Sequence, residues 1–353
     1  MKRQILTLEI SIFIILLIPL FLFGGDFAKD KLDLKLRLKP GQKYDMRLTT
    51  ELKRKNESFM FAKGMGFEVK EVDTNGVASM EVTFRTLQVN IIREGFRCEY
   101  DSTKQSIADD YSKIPKIEAA SVGETFVIKL TPKGEIIEVK DLEEMYSRIF
   151  EKVEEWNEKY LIMEMVPCKE TEKSCSSKTT RSPTTLSWKE MSESNKKVRR
   201  EVRMHNIKAT YSKKEIENML SDMIISFPSE PLAVGDSWED KVKIWTNARE
   251  IEGNYTLKGI EKGTLTIDLT AKRTPEEEPF SWVNNEGREV GFKLVGYTQG
   301  SFEVDQQTGW LLRSKVKNVF TGKVVDKEAE DKEPQTYLEE ELITVEPLGD
   351  RIG

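Results

Sequence analysis

The sequence predicts a mainly β fold, α+β in class: two similar antiparallel sheets or half-barrels, with one long and one short helix between them. Three observations predict it. Apolar and polar residues alternate with period two through most of the chain, as they do along half-buried strands. Glycine-bearing turns such as Asn75-Gly76, Lys262-Gly263 and Thr308-Gly309 interrupt that alternation. The same succession of strand and turn signals then occurs a second time.

At the start, Lys2 and Arg3 precede an apolar run from Ile10 to Phe23, broken only by Ser11 and Pro19 and followed by Gly24 and Gly25. Charge, then hydrocarbon, then small residues is the anatomy of a secretory signal, here residues 1–28. If uncut, residues 5–25 form about 30 Å of helix, enough to cross a bilayer. Lys2 and Arg3 then remain on the cytoplasmic side. Either outcome predicts an exported, periplasmic or extracytoplasmic protein of the cell envelope, released after cleavage or held at the membrane by this segment.

Residues 30–140 read as a first β unit. Leu32, Leu34, Leu36 and Leu38 alternate with Asp33, Lys35 and Arg37, which gives one apolar and one wet side. Asn75-Gly76 is a strong hairpin signal between the strands ending near Val72 and running through Val82. Phe126, Ile128 and Leu130 run into Thr131-Pro132-Lys133-Gly134, and Ile136 and Ile137 resume beyond it. Residues 141–228 read as a helical connector. Leu142, Met145, Ile149, Val153, Trp156, Tyr160 and Met163 are spaced three or four apart, the stripe of a core-facing helix. Ser212-Lys213-Lys214-Glu215 has the spacing of a capping box and opens a shorter helix carrying Ile216, Met219, Leu220, Met223 and Ile224, ended by Pro228. Between them, roughly residues 167–200 form a polar insertion. Residues 229–346 read as the second β unit, with Leu265, Ile267 and Leu269 after Lys262-Gly263, Phe302 and Val304 before Thr308-Gly309, and later strands at Val319–Val325 and Leu338–Val345.

The two units share an order, which points to an internal repeat. Gly41-Gln42-Lys43-Tyr44-Asp45 matches Gly235-Asp236-Ser237-Trp238-Glu239; the Asn75-Gly76 hairpin matches Lys262-Gly263; and the strand ending in Gly134 matches the one ending in Gly309. Two sheets with one apolar face each must cover those faces by meeting, by using the helices, or by curling around a cavity.

Composition narrows the function. The chain has 353 residues, room for about two domains, and its 38% hydrophobic and 33% charged residues suit a folded rather than a disordered chain. A net charge of −6 repels phosphate backbones, so no nucleic-acid partner is expected. The basic run Lys196, Lys197, Arg199, Arg200 and Arg203 has no interleaved aromatics and reads as a solvated connector. Cys168 and Cys175 stand seven apart in polar sequence, a spacing that permits a small disulfide ring in an oxidising compartment and leaves Cys98 over. With one histidine, His205, and no C-x-x-C, neither a metal site nor a cofactor is expected. No nucleophile elbow, P-loop or dinucleotide fingerprint occurs, so no catalytic residue is assigned. Glu276-Glu277-Glu278 after Pro275 reads as a solvated turn.

The segment Phe227-Pro228-x-x-Pro231-x-x-Val234-Gly235-Asp236-Ser237-Trp238 stands out. Pro231 and Gly235 shape a turn into a strand, Asp236 caps it, and Trp238 anchors it. With Gly41 and Tyr44 these make a structural motif rather than a reactive one. The segment resembles the hallmark of an uncharacterised family of bacterial exported proteins, a domain of unknown function. The early Leu38-to-Tyr44 stretch and Tyr100-Asp101-Ser102 extend the resemblance over about residues 32–325. It implies architecture and location but no activity. Three readings remain: a non-enzymatic envelope protein that binds a lipid or other apolar ligand, or a partner protein, through a concave sheet face; a purely structural or assembly module; and a carboxylate-dependent hydrolase.

Overall fold

The computed structural model describes residues 31–105, 115–160, 192–244, 249–273, 280–283, 289–326 and 335–349. The strands are β1 (Lys43–Arg54), β2 (Glu57–Val72), β3 (Ala78–Arg93), β4 (Phe96–Asp101), β5 (Thr125–Leu130), β6 (Ile136–Lys140), β7 (Ser237–Ile244), β8 (Arg249–Glu261), β9 (Thr264–Arg273), β10 (Phe280–Val283), β11 (Glu289–Asp305), β12 (Leu311–Asp326) and β13 (Gln335–Pro347). The helices are α1 (Lys116–Ala120), α2 (Leu142–Tyr160), α3 (Glu193–Thr210) and α4 (Lys213–Ser221).

All thirteen strands belong to one antiparallel sheet, ordered β6-β5-β3-β2-β1-β13-β12-β11-β9-β8-β7, with β4 beside β3 and β10 beside β11. The repeat is explicit in that order. The meander β1-β2-β3-β5-β6 recurs as β7-β8-β9-β11-β12, and β13 joins the two edge to edge. Two units that the sequence leaves separate are therefore fused into a single sheet.

The correspondence extends to individual hydrogen bonds. Gly41 and Gly235 both take positive φ, at 85° and 99°, where a side chain would be strained. Each donates its N–H to the second strand of its own unit, Gly41 to Val69 O and Gly235 to Leu257 O. The next residue closes the turn with its side chain: Gln42 Oε1 accepts from Lys39 N at 2.7 Å, and Asp236 Oδ2 accepts from Ala233 N at 2.9 Å. At the second hairpin both Lys262 and Gly263 have positive φ, the pairing that a twisted two-residue turn requires.

The segments leading into the two units cross over. Arg37 N, ahead of β1, donates to Thr308 O in the β11–β12 turn; Phe227 N, ahead of β7, donates to Lys133 O in the β5–β6 turn. A Cβ on Gly309 would lie 2.3 Å from Lys35 O, and one on Gly134 would lie 2.2 Å from Ile225 O. Each unit's last turn thus clamps the other unit's lead. The leucine alternation before β1 marks this lead and not a ladder strand. Leu34, Leu36 and Leu38 are buried, yet only Leu32 pairs, in a single bridge with Leu232. Period two reports which side faces the core, whatever bonds the backbone makes.

The helices lie between the units in sequence. Met145, Ile149 and Val153 of α2 are buried in the main core, so the predicted stripe is core. Buried Glu124 takes Arg148 Nε and Lys152 Nζ, both at 2.5 Å, which ties α2 to the β5 entrance. The helix α3 occupies the end of the expected polar insertion and the basic run. Its Arg200 reaches Glu154 of α2 at 3.0 Å, joined there by Arg203. That helix buries only Ile207 among its residues, which is why no apolar stripe announces it. His205 is exposed on it. Ser212 accepts from Glu215 N at 3.2 Å, the expected cap of α4. This helix ends at Ser221, short of Pro228, and Met223, Ile224 and Ile225 continue, buried, as part of the lead to β7.

Among the described residues no helix is long and apolar enough to cross a membrane. Residues 1–30, Cys168, Cys175 and Glu276-Glu277-Glu278 lie outside the described residues.

Candidate functional site

Residues of both edge strands, Ile136 on β6 and Val242 on β7, line the same cavity. The sheet therefore curls until its two ends face one another, as the right-handed twist of a long antiparallel path favours. The cavity holds about 360 Å³. Its floor is one cross-strand row, Tyr255–Leu269–Gly300–Val316–Ile343, running from β8 to β13. The absence of a side chain at Gly300 leaves the row room: a Cβ there would lie 2.8 Å from Val316 Cγ2. Ile224 and Ile225 close the space opposite, and Glu217 and Ser221 place α4 along one flank. Burial first, and then the Asp240 and Asp222 charges, raise the Tyr255 phenol above its ordinary pKa.

The next row toward the other end of the strands, Ala271–Thr298–Asn318–Glu341–Leu52, is polar at its centre. Thr298 Oγ1 donates to Asn318 Oδ1 at 2.6 Å, and Asn318 Nδ2 donates to Glu341 Oε2 at 2.8 Å. Thr298, Asn318 and Glu341 are all buried, and Glu341 Oε1 has no hydrogen-bond partner among the described residues. Desolvation raises the Glu341 pKa to about 7; the Asn318 hydrogen bond and the Arg54 charge oppose that rise, and the Glu339 charge adds to it. Arg54 Nε itself bonds Glu339 Oε2 at 2.8 Å.

A second, smaller cavity of about 230 Å³ lies on the other side of α4, against Ile216 and Met219. Thr50, on its wall, is the cross-strand neighbour of Ile343 on the floor of the larger one. The two spaces therefore adjoin on one continuous face, at the β1–β13 seam where the units meet. Lys63 lies in the smaller space, flanked in its row by Leu48 and Leu87. Its Nζ sits 3.9 Å from the Met219 sulfur and 5.6 Å from the centre of the Tyr211 ring. Burial holds the lysine pKa below its ordinary value, against the pull of Glu118.

The residues singled out from sequence stand at the entrance turns instead. Gly41, Gly235 and Asp236 form those turns, while Pro231 is exposed and Pro228 half-buried. Tyr44 stacks on Trp310 with ring centres 4.3 Å apart, and Trp238 stacks on Tyr255 at 5.3 Å. Through Tyr255 the motif touches the larger cavity's wall, but none of its residues lines the space. The sequence motif does not include the polar groups of the inner face, which are Lys63 in the smaller cavity, Asn318 on the lining of the larger one, and Glu341 bonded to Asn318. A signal existed for two of them: the inward phase set by Ile343 and Val345 continues back to Glu341, and that of Phe61 and Phe59 on to Lys63.

Fold and site together define a class: a duplicated antiparallel sheet, curled on itself, with a helix dividing the space inside. The model of a family of unknown function (DUF6263) matches residues 75–182 and 185–311, and the chain belongs to that family. No curated protein matches it. Among solved structures, one described as lipid–protein interactions in lipovitellin is similar over 88% of this chain, with 8% identity and a TM-score of 0.40. The chain spans 25% of that lipovitellin chain.

Proposed function

We propose that this protein is a non-enzymatic binding protein of the cell envelope, exported in the bacterial manner, that holds an apolar ligand against the inner face of its curled sheet. The observation that carries the reading is the larger cavity. At about 360 Å³ it falls within the roughly 300–1,000 Å³ of small-molecule sites, and its floor is made of Tyr255, Leu269, Val316 and Ile343. Export through the signal proposed for residues 1–28 would bring the protein to where membrane-derived apolar molecules are met.

The test uses the full chain and the neutral fluorophore N-phenyl-1-naphthylamine. Saturable binding to the wild type is expected. Ser221→Trp, from the helix flank, and Val242→Trp, from the edge strand, each fill the space and weaken binding by about tenfold, with unchanged thermal midpoints. Absence of saturable binding, or equal binding by both tryptophan variants, overturns the reading.

A further inference from the structure

The smaller cavity departs from an apolar pocket in one respect: it contains three charged side chains. Lys63 rises from the sheet, Glu118 belongs to α1, and Glu215 to the first turn of α4. An ammonium group in an apolar row is ordinarily neutralised by a carboxylate in contact. Among the described residues Lys63 has none within salt-bridge distance. Its contacts are a thioether and a ring face, and Glu118 acts on it only from longer range. A lysine that merely served the fold would be expected to close on Glu118 or Glu215, both of which border the same space.

Resting on the binding function proposed above, we infer that the ligand is a zwitterionic amphiphile, with its anionic group on Lys63, its cationic group toward Glu118 and Glu215, and its hydrocarbon in the adjoining larger cavity. Each part has a counterpart in the structure. Lys63 lacks an anion, and a phosphate or carboxylate supplies one through a charge-assisted hydrogen bond. A simple anion would satisfy Lys63 but meet two carboxylates around it; a head group with its own cation answers all three charges. The two spaces lie side by side along the sheet, because Thr50 and Ile343 are adjacent across the seam, about 5 Å from one strand to the next. Between Lys63 and β13 stands only β1, represented by Leu48.

The experiment displaces N-phenyl-1-naphthylamine from the full-length protein with three single-chain amphiphiles of equal chain length, kept below their micelle concentrations. These are a lysophosphatidylethanolamine, a fatty acid and a monoacylglycerol. The wild type is expected to prefer the zwitterion to the neutral amphiphile by about tenfold or more. Lys63→Met should abolish that preference while leaving the fluorophore's own affinity within about twofold, and Lys63→Arg should keep it. The double variant Glu118→Gln, Glu215→Gln should shift preference toward the fatty acid. Because Lys63→Met removes a cation from an apolar row, the unliganded variant should melt no lower than the wild type, which separates loss of binding from loss of fold. Equal affinity for the zwitterion in wild type and Lys63→Met overturns the inference, as does wild-type preference for the neutral or the purely anionic amphiphile. If the fluorophore itself fails to bind, the cavity reading falls first.

Discussion

Glu341 should make the protein less stable as pH rises, and one substitution isolates the effect. Unfolded, its carboxyl titrates near 4.5; folded, it titrates near 7 because the side chain is desolvated among Thr298, Asn318 and Glu339. Between those values the folded chain keeps a proton that the unfolded chain has released, so stability falls with pH. The contribution of the protonated side chain is whole below pH 4.5 and lost as pH rises through 7. At about 1.4 kcal/mol per pH unit the difference amounts to about 3 kcal/mol at pH 8. Glu341→Gln keeps the shape and the acceptor for Asn318 Nδ2 but cannot ionise. Measured by urea denaturation, the variant should match the wild type within about 1 kcal/mol at pH 4 and exceed it by about 3 kcal/mol at pH 8. A difference that stays constant between those pH values, or a variant less stable than wild type at pH 8, would show that the carboxyl does not carry a buried proton.

The crossed leads and the repeat give two further expectations. Gly134→Ala and Gly309→Ala each place a Cβ against a backbone carbonyl, at 2.2 and 2.3 Å, on residues with φ of 86° and 71°; each should cost about 2–4 kcal/mol in chemical denaturation, and a loss under about 0.5 kcal/mol in either would contradict the clamped turns. Gln42→Ala and Asp236→Ala remove the same turn-closing hydrogen bond from the two units. Both should lower stability by about 1 kcal/mol, and a clear effect in one with none in the other would refute their equivalence.

Much of this fold could be read from residues alone because local geometry leaves local marks. Gly76, Gly134, Gly263 and Gly309 all take the positive φ that their turn positions suggest. Ser212 and Glu215 form the cap that their spacing describes. The G-x-x-aromatic segments at Gly41 and Gly235 are equivalent down to their hydrogen bonds. What could not be read depends on partners far away in sequence. Helix α3 is held by Arg200 and Arg203 on Glu154 of another helix, and charged residues with helical spacing look the same on a loop. Fusion of the units requires β13 between β1 and β12, and an edge strand's sequence does not say which neighbour it will accept. The cavities arise from curling, so their linings draw on strands from both ends of the chain. Lys63 and Glu341 occupy inward positions by parity, but only the folded sheet brings Glu118, Glu215 or Asn318 near them.

The exchanged leads have a consequence for how the molecule is made. Each half's closing turn is fastened in part by the other half's lead, although Leu36 N of the first lead also donates to Pro132 O in its own unit's turn. The arrangement is that of a domain-swapped dimer whose two protomers have been joined end to end. The clasp on Gly309 cannot shut until Lys35, hundreds of residues upstream, has been kept free to receive it. Contacts of such long sequence separation form late and slowly, and the two halves produced as separate polypeptides would each lack one strand of the clasp on their closing turn.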